Sequence, residues 1–195
     1  MSAVKLTAKQ VLFDNHISGS PADSLGKILQ RENIELIKIY VKDDSCGMYC
    51  IENDKRKIYV NENMGVGRMK FTIAHELGHH FLGHTLDGFC RIYRNLETET
   101  HEKSPQEVEA NYFAACLLMP YALVLQIFNR VVSNHGLQKD TALYVQLSGQ
   151  AKIIEAVVFA LSEELKVSHE AATYRLKSLK LLKHKAKVES GEDYG

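Results

Sequence analysis

The sequence predicts an α+β protein in which a small antiparallel sheet is followed by helices. Three observations support this prediction. The chain has 195 residues, of which 45% are hydrophobic and 25% charged, as in an ordinary globular protein. Short β-branched and aromatic stretches lie between residues 34 and 61. Helical periodicity dominates from about residue 68 onward.

The elements follow from local signals. Ser20, Pro21 and Asp23 supply an N-cap, a first-turn proline and an acidic third position, which predicts a helix over residues 21–32. A weaker helical candidate precedes it over residues 4–16. Strands are predicted over residues 34–41, 46–51 and 56–61, with turns at Asp43-Asp44 and Asn53-Asp54. Later helices are predicted over residues 69–82, 105–119, 121–133, 150–166 and 169–182.

A helix stop at Gly136 predicts a division into a domain of residues 1–136, a helical helix-turn-helix-like module of residues 137–185 and a tail of residues 186–195. The second module is basic, so Arg175 and Lys177 are candidate contacts to nucleic-acid phosphates. We favour instead a packing role for these helices, because residues 169–182 contain no Asn or Gln suited to reading bases.

Composition and length exclude several classes. The 24 basic and 24 acidic residues cancel, so no field of the whole protein attracts nucleic acid or a membrane. The first ten residues lack the apolar core of a signal peptide, and the most apolar stretch, residues 113–125, is too short to span a membrane. We therefore expect a cytoplasmic protein without a membrane partner.

The clearest chemical signal is His75-Glu76-Leu77-Gly78-His79, an HExxH motif within a predicted helix. Histidines at positions i and i+4 project from one helix face and can bind one zinc ion per chain. Glu76 lies about 100° around the helix from His75, beside the ligands, where it can act as a general base toward water. Gly78 costs a helix interior about 1 kcal/mol relative to Ala, which predicts that another backbone packs closely there.

Catalytic zinc usually has three protein ligands, and the metzincin continuation of the motif is absent here. A carboxylate from the helix over residues 105–119 is the remaining solution, with Glu107 and Glu109 as candidates. Ser104 and Glu107 have the spacing of a capping box, which gives Glu107 a structural role. Glu109 is therefore assigned as the third ligand, and Glu107 is the alternative.

A peptidase also needs a group that stabilises the oxyanion. Four nearby side chains are candidates for this or for an orienting role, and the sequence does not choose among them: His80, His84, Tyr112 and Tyr121. His80 lies one turn beyond Glu76, although a packing or solvated role is favoured for it.

The run FTIAHELGHHFLGH followed by EANYFAACLLMP resembles the ImmA/IrrE family of zinc-dependent metallopeptidases, found in bacteria and their mobile elements. The likeness covers roughly residues 20–120. By position, His75 and His79 match the family's metal-binding histidines, Glu76 its catalytic glutamate, and the Glu of its EAN motif falls on Glu109. The resemblance implies a minimal zincin-like fold with a small sheet packed on the active-site helix.

The resemblance also implies a substrate: a helix-turn-helix transcriptional repressor, whose cleavage derepresses stress or mobile-element genes. The acidic residues Glu97, Glu99 and Glu102 are candidates to contact such a basic partner. The alternative is a non-proteolytic zinc-binding regulator, such as an antitoxin or anti-repressor, that acts by protein binding. Direct DNA binding is a third, less favoured reading.

Overall fold

The structure is a computed structural model that describes residues 2–42, 47–84, 104–139, 141–145 and 147–183. Its fold is α+β, as predicted. The helices are α1 (Ser2–Asp14), α2 (Leu25–Arg31), α3 (Val66–Phe81), α4 (Pro105–Leu118), α5 (Tyr121–Asn134), α6 (Ala151–Leu165) and α7 (His169–Ser178), with 3-10 turns at Pro21–Asp23 and Ser148–Gln150. The strands are β1 (Ile34–Ile39), β2 (Gly47–Glu52), β3 (Lys55–Asn61), β4 (Leu143–Tyr144) and β5 (Leu182–Lys183).

The three-stranded sheet is mixed, which corrects the prediction of an antiparallel sheet. Its order is β1-β3-β2, and β3 pairs parallel to β1 but antiparallel to β2. The tight turn between β2 and β3 uses Asn53 and Asp54, both at positive φ, which these residue types tolerate well. The central strand β3 buries Ile58 and Val60 completely. Strand periodicity reports which faces are buried, but it does not report which strand lies in the middle.

Helix α3, which contains the HExxH motif, lies in the core. Residues 72–79 are all buried, between β2 and β3 of the sheet and helix α4. The surrounding hydrophobic cluster runs from α1 to β5. The middle of this helix is therefore covered by other parts of the protein, so its polar side chains need partners within the protein.

Helices α3 and α4 approach each other closely at Gly78. A Cβ atom built at this position would lie 3.0 Å from the Cα atom of Ala110. The prediction that another backbone packs against Gly78 is therefore confirmed. This contact brings the first turns of α4 alongside the face of α3 that carries the motif.

The C-terminal helices form the predicted pair. Helix α7 begins at the N-cap Ser168, whose Oγ accepts a hydrogen bond from the Ala171 N–H at 3.1 Å. It ends at Ser178, four residues earlier than predicted, and Leu182–Lys183 instead forms β5, which pairs parallel to β4. The predicted division at residue 136 and the helix-turn-helix role of this pair remain predictions.

Within the described residues, no single helix has both the length and the apolar composition needed to cross a membrane. Helices α4 and α5 meet that test only when taken together, and they are bent by 58° relative to each other.

Candidate metal centre

The two histidines of the motif lie side by side on α3. His75 and His79 are one helical turn apart, both are buried, and their Nε2 atoms are 3.0 Å from each other. The structure thus places them as the i, i+4 spacing predicts.

A carboxylate from α4 completes a group of three. The two oxygens of Glu107 each lie 3.2 Å from a ring nitrogen, Oε2 from His75 Nε2 and Oε1 from His79 Nε2. The side chain of Glu107 is 12% exposed. Among the described residues, these three form the group whose ligand atoms lie close enough to hold one metal ion.

The structure does not bring Glu109 to this group, which corrects the sequence assignment in favour of the alternative. The Glu109 side chain is 45% exposed, and its Oε2 lies 3.3 Å from His84 Nε2. The capping argument failed because the backbone and the carboxylate of Glu107 have separate partners, so a capping role does not prevent the side chain from acting as a ligand. Ser104 Oγ accepts a hydrogen bond from the Glu107 backbone N–H at 3.3 Å, while the carboxylate of the same residue contacts the histidines.

The donor set fits a metal such as zinc. Ligands about 2.0–2.1 Å from a tetrahedral ion lie about 3.3 Å from one another, close to the 3.0–3.2 Å separations seen here. Two imidazoles with one carboxylate form a common set of three protein ligands in catalytic zinc sites. Burial opposes a charge on His75, but its hydrogen bond to the Glu107 carboxylate and the nearby charge of Glu76 outweigh this effect and raise the pKa of His75.

Glu76 lies beside the donor group, which consists of His75, His79 and Glu107, but is not part of it. It is 2% exposed, and burial raises the pKa of its carboxyl, an effect that the neighbouring His75 and His79 oppose. The Tyr49 backbone on β2 also forms a hydrogen bond with Glu76. Strand β2 reaches this position because Gly47 has no side chain: a Cβ there would lie 2.4 Å from Thr72 Cγ2. A carboxyl with a raised pKa suits a group that takes up and returns a proton.

Of the four candidate helper residues, His84 contacts a member of the donor group. Its Nδ1 lies 3.0 Å from His79 Nδ1, and burial lowers the pKa of its ring. His80 instead lies 2.9 Å from the Tyr49 hydroxyl and 3.3 Å from Glu32 Oε2.

The two tyrosines have their own partners elsewhere. Tyr112 forms hydrogen bonds with Cys116 and Arg175, and burial raises the pKa of its hydroxyl. Tyr121 is 47% exposed, with its ring 5.9 Å from the Lys5 ammonium on α1.

The candidate nucleic-acid residues are separated by burial. Arg175 is 2% exposed, and its Nε donates a hydrogen bond to the Met119 carbonyl at 3.0 Å. Arg175 is therefore wrong as a candidate phosphate contact, since a buried guanidinium cannot reach a phosphate. Lys177 is exposed. The acidic candidates Glu97, Glu99 and Glu102 lie outside the described residues.

Sequence reasoning missed Asn111, whose Oδ1 lies 3.1 Å from His75 Nδ1. A signal for it was present. Once Gly78 is paired with a small residue of α4, the helix face that contains Ala110 also contains residues 107 and 111.

The fold and donor set define a class: an α+β protein with a metallopeptidase-type site. The model of the peptidase M78 family, the IrrE N-terminal-like domain, matches residues 29–177, well over half of the chain. The chain belongs to this family. The resemblance to the ImmA/IrrE metallopeptidases is thereby confirmed.

Among solved structures, the chain is similar to a Mycobacterium tuberculosis transcriptional regulator with a TM-score of 0.53. The two are 16% identical, and the match covers 91% of this chain and 47% of that one. This likeness shows the fold alone, and the chain spans about half the length of that regulator. No curated protein matches the sequence.

Proposed function

We propose that the protein is a zinc-dependent endopeptidase that cleaves a helix-turn-helix transcriptional repressor. The observation that supports this most directly is the convergence of His75, His79 and Glu107 beside the buried Glu76. Membership of the peptidase M78 family supports the same chemistry.

The roles of the residues follow from their positions. His75, His79 and Glu107 would hold the zinc ion, which when bound supplies a Lewis acid for an amide carbonyl. Glu76 accepts a proton from the attacking water at its carboxylate and returns it to the leaving amine. Burial raises the pKa of Glu76, which favours uptake of the proton from the attacking water.

The substrate class comes from the family resemblance. A repressor is a protein whose cleavage has a direct regulatory consequence, and its basic DNA-binding surface suits an acidic partner. The proposed contacts on this chain are Glu97, Glu99 and Glu102.

Replacing Glu76 tests the peptidase. Cells that produce the wild-type protein or Glu76→Gln are compared by labelling all protein N-termini. We expect new N-termini within a repressor in wild-type cells and not in Glu76→Gln cells, because loss of a general base slows the reaction roughly 10²–10⁴-fold. Glu163→Gln, at an exposed position on α6, is the matched control and should cleave as the wild type does.

The same cells separate the peptidase from the binding alternative. A transcriptional reporter under the repressor measures derepression directly. If Glu76→Gln derepresses as fully as the wild type, without new N-termini, the protein acts by binding and the peptidase proposal is wrong.

A further inference from the structure

A chain of hydrogen-bonding side chains leads away from the donor group. His79 Nδ1, on the side of the ring opposite to the donor atom Nε2, lies 3.0 Å from His84 Nδ1. His84 Nε2 in turn lies 3.3 Å from Glu109 Oε2. Glu109 is thus two side chains removed from Glu107, the carboxylate that contacts the histidines directly.

One arrangement of protons satisfies both hydrogen bonds of this series, His79 to His84 and His84 to Glu109. If His79 Nε2 binds a metal, Nδ1 must carry the ring proton and donate it to a neighbour. His84 Nδ1 is then the acceptor, so the His84 proton is on Nε2. That N–H donates to Glu109, whose carboxylate only accepts. No ring nitrogen is left without a role.

The two motif histidines are supported differently. His75 Nδ1 meets the neutral amide oxygen of Asn111 at 3.1 Å, whereas the His79 contact ends on a charged carboxylate. A carboxylate at the end of such a chain makes the ligating imidazole a stronger electron-pair donor and fixes its ring.

We propose that His84 and Glu109 are positioning residues, which act through His79 to hold its ring and strengthen its bond to the metal. This inference rests on the metal site of the proposed function. It gives Glu109 a role in the site without making it a ligand.

The competing interpretation is a structural one, in which the His84–Glu109 pair only ties the end of α3 to α4. The Glu109 side chain is 45% exposed, and exposed ion pairs contribute little to folding. The two interpretations predict different effects of replacing these residues. A positioning role alters metal affinity, and a structural role alters the unfolding of the metal-free protein.

The experiment measures the zinc dissociation constant of the full chain by competition with a chromophoric chelator, without any substrate. The variants are Glu109→Gln, His84→Asn and the double variant, with Glu163→Gln as the matched control. Asn at position 84 keeps an acceptor near the place of Nδ1 but has no atom that reaches Glu109. Urea unfolding of each metal-free variant reports folding separately.

We expect Glu109→Gln to weaken zinc binding about tenfold, because outer partners of metal ligands typically contribute 10–100-fold to affinity. Its metal-free unfolding should match that of Glu163→Gln. In the His84→Asn background, Glu109→Gln should have no further effect, since the connection is already broken.

Two results would overturn the proposal: unchanged zinc affinity in Glu109→Gln, or the same loss of affinity in both backgrounds. The outcome is independent of catalysis. If the wild type binds zinc and the variants show the expected losses of affinity, but the wild type cleaves no repressor, the proposed function is refuted and this inference stands. A wild-type protein that binds no zinc would refute both.

Discussion

At the scale of single residues, helix geometry decides which glutamate of α4 meets the histidines. Successive residues of an α-helix are about 100° apart, so positions 107 and 109 differ by about 200° and cannot share a face. Ala110 packs against Gly78 and marks the face directed at α3. Glu107 and Asn111 lie on that face, and both contact His75.

Glu76 and Glu107 are both largely enclosed, but their partners give them different roles. Glu107 has two imidazoles within 3.2 Å, which suits a ligand. Glu76 has the Tyr49 backbone as a partner and a pKa raised by burial. A carboxyl that is enclosed yet outside the donor group is free to exchange a proton.

At the scale of elements, the site depends on the close packing of α3 and α4. Helix α3 contributes the two histidines and α4 contributes Glu107, so the distance between the helix axes determines whether these side chains come together. Gly78 allows that distance, because a Cβ there would lie 3.0 Å from Ala110 Cα and 3.2 Å from Ala110 O.

Gly78→Val should separate the two helices. The added methyl groups would meet the backbone of Ala110, and overpacking of this kind costs about 1–3 kcal/mol of unfolding free energy. We also expect weaker zinc binding, because Glu107 moves with α4. Urea unfolding and chelator competition measure the two effects, and Gly26→Val, where a Cβ meets nothing within 4 Å, is the matched control for affinity. Zinc affinity equal to that of the control would contradict this account.

Many of the helices, strands and turns could be predicted from local sequence patterns. The HExxH spacing, the N-cap Ser104 and the turn at Asn53-Asp54 each depend on residues close in sequence, and the structure contains the corresponding elements. The helix predicted over residues 21–32 is instead a 3-10 turn over Pro21–Asp23 followed by α2, and Ser20 makes no capping hydrogen bond there. The order of strands, the pairing of β4 with β5 and the choice of Glu107 depend on contacts between distant segments. Periodicity reports which face of an element is buried, but it does not identify the neighbour that covers it.

At the scale of the whole molecule, the C-terminal helices pack on the rest of the protein. The turn between α6 and α7 passes so close to α3 that a Cβ at Gly67 would lie 2.9 Å from Ser168 N. Arg175 of α7 donates to the Met119 carbonyl at the end of α4. Both contacts support the packing role that the sequence favoured for these helices.

Arg175→Ala should destabilise the protein without a specific effect on DNA. The substitution leaves a cavity and an unpaired carbonyl at Met119, together costing about 2 kcal/mol or more. Lys177→Ala, an exposed neighbour on the same helix, should change stability by less than about 0.5 kcal/mol. Urea unfolding measures both. Unchanged stability in Arg175→Ala, with a loss of salt-dependent DNA affinity, would instead support a DNA-binding role.

The measurement that tests the metal site most directly is the zinc content of purified protein after dialysis against a weak chelator. The wild type should retain about one zinc per chain, and Glu109→Gln should retain most of its zinc despite weaker binding, whereas Glu107→Gln should retain far less, because it loses one of three protein ligands. The site described here would be contradicted if Glu107→Gln kept its zinc and Glu109→Gln lost it.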